Sequence, residues 1–207
     1  MSIYEQHILP HLINCACGSP PVSEIRQRIV PRCFGKVLEI GMGSGLNLPF
    51  YNAQQVEFIW GLEPSEGMRR KAEKNLQRSD LEIKWLDLPC EQIPLPDNCT
   101  DTVLLSFSLC TIQNTEQALA EIHRVLKPDG KLLFAEHGIS QDMAIAKWQN
   151  RLNPVWKRLA GGCHLNKAID TLISKANFEI SQLERFYQCN IPKPAGYIYL
   201  GEANKLT

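Results

Sequence analysis

The sequence predicts an α/β fold in which five parallel strands and a C-terminal antiparallel hairpin make one seven-stranded sheet with helices on both faces. Three observations carry that expectation. Short apolar runs alternate with amphipathic stretches, the first run opens into a glycine-rich loop, and the last two runs are joined only by a loop through Pro192-Lys193-Pro194. Parallel strands buried on both faces read as near-continuous apolar runs, and each parallel neighbour needs a crossover that is usually helical.

Residues 1–35 precede the first run and predict an N-terminal helical cap, in which Tyr4, Ile8 and Leu12 share one apolar face on the stretch through His11 and Asn14. Strands are expected over residues 36–40, 56–62, 81–86, 102–107, 131–136, 178–186 and 197–202. A helix is expected over 65–78, where Met68, Ala72 and Leu76 align, and another over 115–127, where Leu119, Ile122 and Leu126 align. Asn114 followed by Gln117 caps the second of these, and Pro128-Asp129-Gly130 stops it. Residues 139–166 stand outside the alternation as an insertion at the carboxyl edge of the sheet, over the crevice where small ligands bind. Ile145, Trp148, Leu152, Val155 and Leu159 keep helical spacing there, while Pro154 is expected to break or kink the helix. The insertion's tryptophans are either core or a lid over a substrate.

Length bounds the organisation: 207 residues with 44% hydrophobic content suit one domain, 1–207. The formal net charge is zero and the basic residues are scattered, which leaves nucleic-acid binding without an electrostatic footprint. Neither a leader pattern at the start nor an apolar run of bilayer-spanning length is seen, and the expectation is a cytoplasmic chain without a transmembrane segment. Eight dispersed cysteines read as free thiols, and Cys15-Ala16-Cys17 and Cys163-His164 lack the paired spacing of a zinc motif, so no metal is expected. The sequence leaves the oligomeric state open.

The chemistry begins at Glu39-Ile40-Gly41-Met42-Gly43-Ser44-Gly45-Leu46-Asn47. Glycines at alternate positions after a strand mark a turn with positive φ, or a place where a ligand lies against bare backbone. A dinucleotide fingerprint would need its third glycine at Leu46, which argues against a nicotinamide oxidoreductase, and the Gly-Lys-Ser/Thr of a phosphate loop is absent. Glu39 would repel a pyrophosphate and suit a ligand with ammonium or sulfonium charge. S-adenosylmethionine carries both.

Together, the glycine motif, the acid ending the second strand in Gly61-Leu62-Glu63-Pro64-Ser65, and the alternation of strands and helices resemble the class I S-adenosylmethionine-dependent methyltransferases, whose sheet is Rossmann-like. That resemblance implies a cofactor site of Glu39, Gly41, Gly43, Gly45, Asn47, Glu63, Pro64, Met68, Leu88, Cys90, Glu91 and Ser106. In the family the glycines lie under the methionine part and the second-strand acid takes the ribose hydroxyls. Cys90-Glu91-Gln92-Ile93-Pro94-Leu95-Pro96-Asp97 resembles the adenine-side motif, but Pro89 stands where many relatives have an acid, so recognition falls to backbone groups of residues 88–91 and to Asp87. Met68 either closes the pocket or belongs to the core stripe.

A narrower resemblance rests on Leu109-Cys110-Thr111-Ile112, Ala135-Glu136-His137-Gly138 and residues 153–166, which look like the bacterial branch of the alkyl thiol methyltransferase family. It implies a small-molecule methyl acceptor, a thiol first, with Leu109, Cys110, Trp148, Trp156 and Asn166 on the acceptor side. A thiol of pKa about 8.5 is mostly protonated at neutral pH. His137 and His164 are therefore the catalytic candidates, as groups that raise the thiolate fraction. Cys110 and Cys163 are not needed as covalent nucleophiles, because the cofactor's methyl is already activated. The alternatives are an N-methyltransferase acting on a phospholipid headgroup or small amine, and a module that binds cofactor without turning it over.

Overall fold

The computed structural model describes residues 14–206, so the helical face expected at Tyr4, Ile8 and Leu12, and His11, lie outside the described residues. Seven strands pair in one sheet: β1 (Gly35–Ile40), β2 (Val56–Leu62), β3 (Ile83–Leu86), β4 (Thr100–Ser106), β5 (Leu126–His137), β6 (Phe178–Tyr187) and β7 (Tyr197–Lys205). Their spatial order is β3-β2-β1-β4-β5-β7-β6. The first five run parallel, and β7 pairs antiparallel with both β5 and β6. The helices are α1 (Pro20–Ile29), α2 (Glu66–Leu76), α3 (Thr115–Val125), α4 (Met143–Leu159) and α5 (Ile169–Lys175).

Period-two alternation sorts the strand side chains between two cores. Leu38, Ile40, Val103, Leu105, Leu132 and Phe134 pack on the side of α3 and α5, with Leu119, Ile122, Ile169 and Ile173. Val37, Ile59, Leu104 and Leu133 pack with Ile25 and Ile29 of α1 on the other. Glu39 lies between Leu38 and Ile40 and so points to the α1 face. Ile25 and Ile29 are fully buried, and at about 1.5–3 kcal/mol each their burial seats α1 firmly on the sheet. That seating carries Arg26 inward to 4% exposure, and the several kcal/mol that burying a charge costs is offset only because the guanidinium is hydrogen-bonded there.

Two expectations need correction. The helix over 115–127 stops at Val125, because Leu126 already pairs with Thr100 and the Thr100 hydroxyl donates to the Val125 carbonyl at 3.1 Å, so β5 begins before Pro128. Nor does Pro154 break its helix: α4 runs through it from Met143 to Leu159. The carbonyl a proline leaves unpaired is the one four residues back, and Asn150 is exposed to solvent, which can serve it. The tryptophans of α4 are not core either, since Trp148 is 56% and Trp156 38% exposed.

Because β2 and β3 lie on one side of β1 and β4 on the other, the connections after β1 and β4 diverge and leave a crevice at their carboxyl ends. The glycine loop and the turn after Ser106 both open into it.

Candidate active site

The crevice holds a cavity of 1030 Å³, and a second lobe of 480 Å³ shares Gly41, Glu63, Ser108, Thr111 and Gln113 with it. Gly41, Gly43 and Gly45 have φ of 65°, 60° and 71°, a region L side chains adopt only at a cost. A Cβ on Gly41 would come within 2.9 Å of Ser108 Cβ, and one on Gly43 within 3.3 Å of Met68 Cε. Phe107, at the end of β4, also has a left-handed backbone (φ 57°). For a bulky side chain this costs about 1–3 kcal/mol and marks a strained turn at the cavity wall.

Glu63 ties the loop to the neighbouring strand. Its Oε2 accepts from the Gly43 N–H at 3.0 Å and its Oε1 from the Ser65 N–H at 2.9 Å. Each carboxylate oxygen keeps a further acceptor position, which is what a vicinal diol requires. Burial raises its pKa, against the pull of those two amides. Ser65 caps α2 through the Met68 N–H, which brings Met68 to the cavity opposite Gly43.

On the α1 side a chain of buried polar groups underlies the loop. Arg26 Nε donates to Asn47 Oδ1 at 2.8 Å and its guanidinium also donates to the Cys17 carbonyl. Asn47 Nδ2 donates to Glu39 Oε1 at 2.8 Å, and the Tyr51 hydroxyl donates to Glu39 Oε2 at 2.7 Å. Burial pushes the Glu39 carboxyl up to about 7 although Tyr51, Asn47 and Arg26 all favour its charged form. Ser106 lies beside Asn47 in the same wall. The cavity therefore pairs a fixed cation with two acids, and its outer rim carries Lys157 and Arg158 from α4.

A different group lies beyond Thr111 and Gly162. His137 Nε2 is 3.1 Å from Cys163 Sγ, and the Trp156 indole N–H donates to that sulfur at 3.3 Å. Cys110 joins them, the ligand atoms of Cys110, His137 and Cys163 all lying within 4.8 Å of one another. Hydrogen bonding from Cys110, with His137 and Trp156, holds the Cys163 thiol well below its ordinary range, while the same contact and burial push Cys110 up.

The sequence-derived residues divide accordingly. Glu39, Gly41, Gly43, Asn47, Glu63, Met68 and Ser106 line the main cavity, and Pro64, Cys90 and Glu91 line the second lobe. Gly45 packs against Leu48 and Ala72, shaping the loop from behind. Leu88 is 38% exposed and does not line either lobe. Leu109, expected beside the acceptor, is wholly buried in the core because it follows a sharp turn whose N–H groups face Glu136. Trp148 points to solvent, and Asn166 pairs with Asn150. Neither histidine lines the cavity: His137 Nε2 lies beside Cys163, and His164 Nδ1 lies 3.4 Å from Asn153 Nδ2. Sequence reasoning missed Arg26, Tyr51, Thr111 and Gln113. For Arg26 a signal existed, a charge set within the apolar spacing of Val22, Ile25 and Ile29.

Residues 38–134 match the family model described as a methyltransferase domain. The thiol S-methyltransferase TMT1B of Rattus norvegicus is 33% identical over 156 residues, which cover 72% of this chain and 62% of that protein. The chain thus spans a little under two thirds of that relative's length. A phosphatidylethanolamine N-methyltransferase of Cereibacter sphaeroides is 26% identical over 155 residues, covering 70% and 71% of the two chains. Among solved structures, the Burkholderia thailandensis 1,6-didemethyltoxoflavin-N1-methyltransferase with bound 1,6-didemethyltoxoflavin and S-adenosylhomocysteine shares the fold, with a TM-score of 0.60 at 16% identity over 98% of this chain and 78% of that one.

Proposed function

We propose that the chain is a class I S-adenosylmethionine-dependent methyltransferase that transfers the cofactor's methyl group to a small-molecule thiol. The observation that carries this reading is the Glu63 clamp: a carboxylate bonded to Gly43 and Ser65 with acceptor capacity to spare, facing a glycine loop that leaves room against its backbone. When bound, S-adenosylmethionine supplies a methyl group activated on a positively charged sulfur. Gly41 and Gly43 give it backbone to lie on, Glu63 takes the ribose hydroxyls, and Pro64, Cys90 and Glu91 enclose the adenine side. Arg26 pairs the amino-acid carboxylate, Glu39 supplies negative charge opposite the ammonium and sulfonium, and Met68 closes over the ring or ribose. The chain's contribution to rate is then positioning and exclusion of water. A cytoplasmic location belongs to this reading, and the free thiols fit it. None of the described helices is long and apolar enough to cross a membrane.

A thiol is favoured as acceptor by the sulfur-rich group next to the cavity and by the similarity to a thiol S-methyltransferase. One observation favours a second reading, methylation of the amine of a lipid headgroup. Trp148, Leu152, Val155 and Leu159 make an exposed apolar stripe on α4, flanked by Arg151 and Arg158, next to the cavity rim, and such a helix suits a lipid surface. Release of S-adenosylhomocysteine with short alkyl thiols, compared with vesicles containing phosphatidylethanolamine, separates the two. Turnover with thiols is the expected result, and turnover with vesicles alone would overturn it.

The raised pKa of Glu39 gives cofactor uptake a pH dependence. In the ligand-free chain the charged carboxylate is the disfavoured form, so stability falls as pH climbs from the ordinary carboxyl range to about 7. A bound cation reverses that preference and uptake releases a proton, so affinity should rise about tenfold from about pH 6 to about pH 8. Calorimetry in buffers of different ionisation enthalpy reads the released proton. Glu39→Gln should bind with weak dependence over the same range, any dependence left over belonging to the ligand.

A further inference from the structure

We propose that Cys110, His137 and Cys163 form a site for one soft divalent cation of the zinc class. No linear spacing announces it, which is why the sequence led to the opposite expectation: the three residues come from the turn after β4, the last position of β5 and the loop after α4.

Their convergence is built into the backbone. The His164 N–H donates to the Cys110 carbonyl at 2.9 Å, which fixes the two cysteine-bearing loops side by side. Glu136, chain neighbour of His137, accepts from the Ser108 and Leu109 N–H groups at 2.7 and 2.9 Å and so holds the Cys110 turn against β5. Lys167 Nζ donates to the Leu109 and Ile112 carbonyls at 2.9 and 2.7 Å, closing the same turn from the other side. Gly161 and Gly162, with φ of 60° and 88°, let the chain double back after α4 so that Cys163 faces inward.

The dimensions suit tetrahedral coordination. Zinc bonds of about 2.3 Å to sulfur and about 2.0 Å to nitrogen put neighbouring ligand atoms about 3.5–3.8 Å apart. All three atoms already lie within 4.8 Å of one another, and the His137 Nε2 to Cys163 Sγ separation of 3.1 Å needs to open only slightly. On coordination, Cys110 loses its thiol proton and the His137–Cys163 pair loses the proton it shares, both to solvent, so that two thiolates and a neutral imidazole bound through Nε2 hold the ion.

Charge and polarity point the same way. Among the described residues, Glu136 Oε2 and His137 Nδ1 are the buried side-chain polar atoms without a hydrogen-bond partner, and both adjoin this group. Two thiolates and the Glu136 carboxylate balance a divalent cation and the Lys167 ammonium, whose field reaches all three acids.

Three protein ligands leave one tetrahedral position open. Thr111 and Gly162, the chain neighbours of Cys110 and Cys163, line the cavity. An exogenous thiolate is the ligand that position would take, a step that rests on the thiol reading above.

The test is titration of the metal-stripped full chain with cobalt(II) alone, read by absorption. One equivalent should give a thiolate-to-metal charge-transfer band and the intense visible bands of a tetrahedral site, and zinc(II) should bleach them one for one. Cys110→Ser and Cys163→Ser should each abolish the tetrahedral spectrum, whereas Cys15→Ser with Cys189→Ser, both exposed positions, should leave it unchanged. Circular dichroism and a cooperative thermal unfolding transition check that each variant is folded. Weak octahedral bands only, or an undiminished spectrum in a folded Cys163→Ser chain, would overturn the site. Since the readout needs neither cofactor nor turnover, that failure would leave the thiol reading standing.

Discussion

Glu63→Ala should weaken the binding of S-adenosylmethionine at least about a hundredfold while leaving the fold intact. In the proposed site the carboxylate would offer charged acceptors to two ribose hydroxyls, and hydrogen bonds to a charged group contribute about 1.5–3 kcal/mol each. Losing both removes about 3 kcal/mol or more, about two orders of magnitude in Kd. The fold should tolerate the change because the amides it strips, those of Gly43 and Ser65, belong to residues that line the cavity, where water can reach them. Calorimetry of the variant, with thermal unfolding of the ligand-free chain as control, checks both halves. Binding within a few-fold of the unaltered chain would remove Glu63 from the site.

The clamp was legible in the sequence because its parts are local. A strand, a loop of alternate glycines and an acid at the end of the next strand are fixed by short-range spacing, and the parallel register of β1 and β2, with Glu39 beside Gly61, brings them together. The same holds for the hairpin, where a proline loop between two apolar runs left antiparallel pairing as the simplest outcome. Helix ends were less legible. The end of α3 is set by pairing of Leu126 with Thr100, twenty-six residues away, and the survival of α4 through Pro154 depends on Asn150 facing water. Neither fact is present in a local window.

The acceptor side was the least legible part. His137 was singled out for its place after a strand, yet what it does depends on Cys163, brought to 3.1 Å by a loop whose path is set by two left-handed glycines. Leu109 was placed beside the acceptor because it follows β4 on the crevice side, but Glu136 bends that turn and drives the side chain into the core. Tertiary hydrogen bonds from distant residues decide both, and periodicity carries no trace of them.

Arg26→Leu should separate the two ends of the cofactor site. Arg26 is the charged group that α1 carries beneath the glycine loop, held by Asn47 and the Cys17 carbonyl, with Glu39 bonded to the same asparagine. A buried guanidinium facing a carboxylate makes a charge-assisted bond in a low dielectric, and its loss is expected to cost about 3 kcal/mol, about a hundredfold in the Kd for S-adenosylmethionine. Methylthioadenosine carries the same nucleoside without the amino-acid carboxylate, and its affinity should stay within about twofold if Arg26 acts on that carboxylate. A purely structural role predicts something else. Asn47 would lose its donor, the loop would shift, and both ligands would weaken together, as they should in Glu63→Ala. Parallel calorimetry of the two ligands on the two variants thus distinguishes a carboxylate partner from a prop, and equal losses for both ligands in Arg26→Leu would sink the assignment.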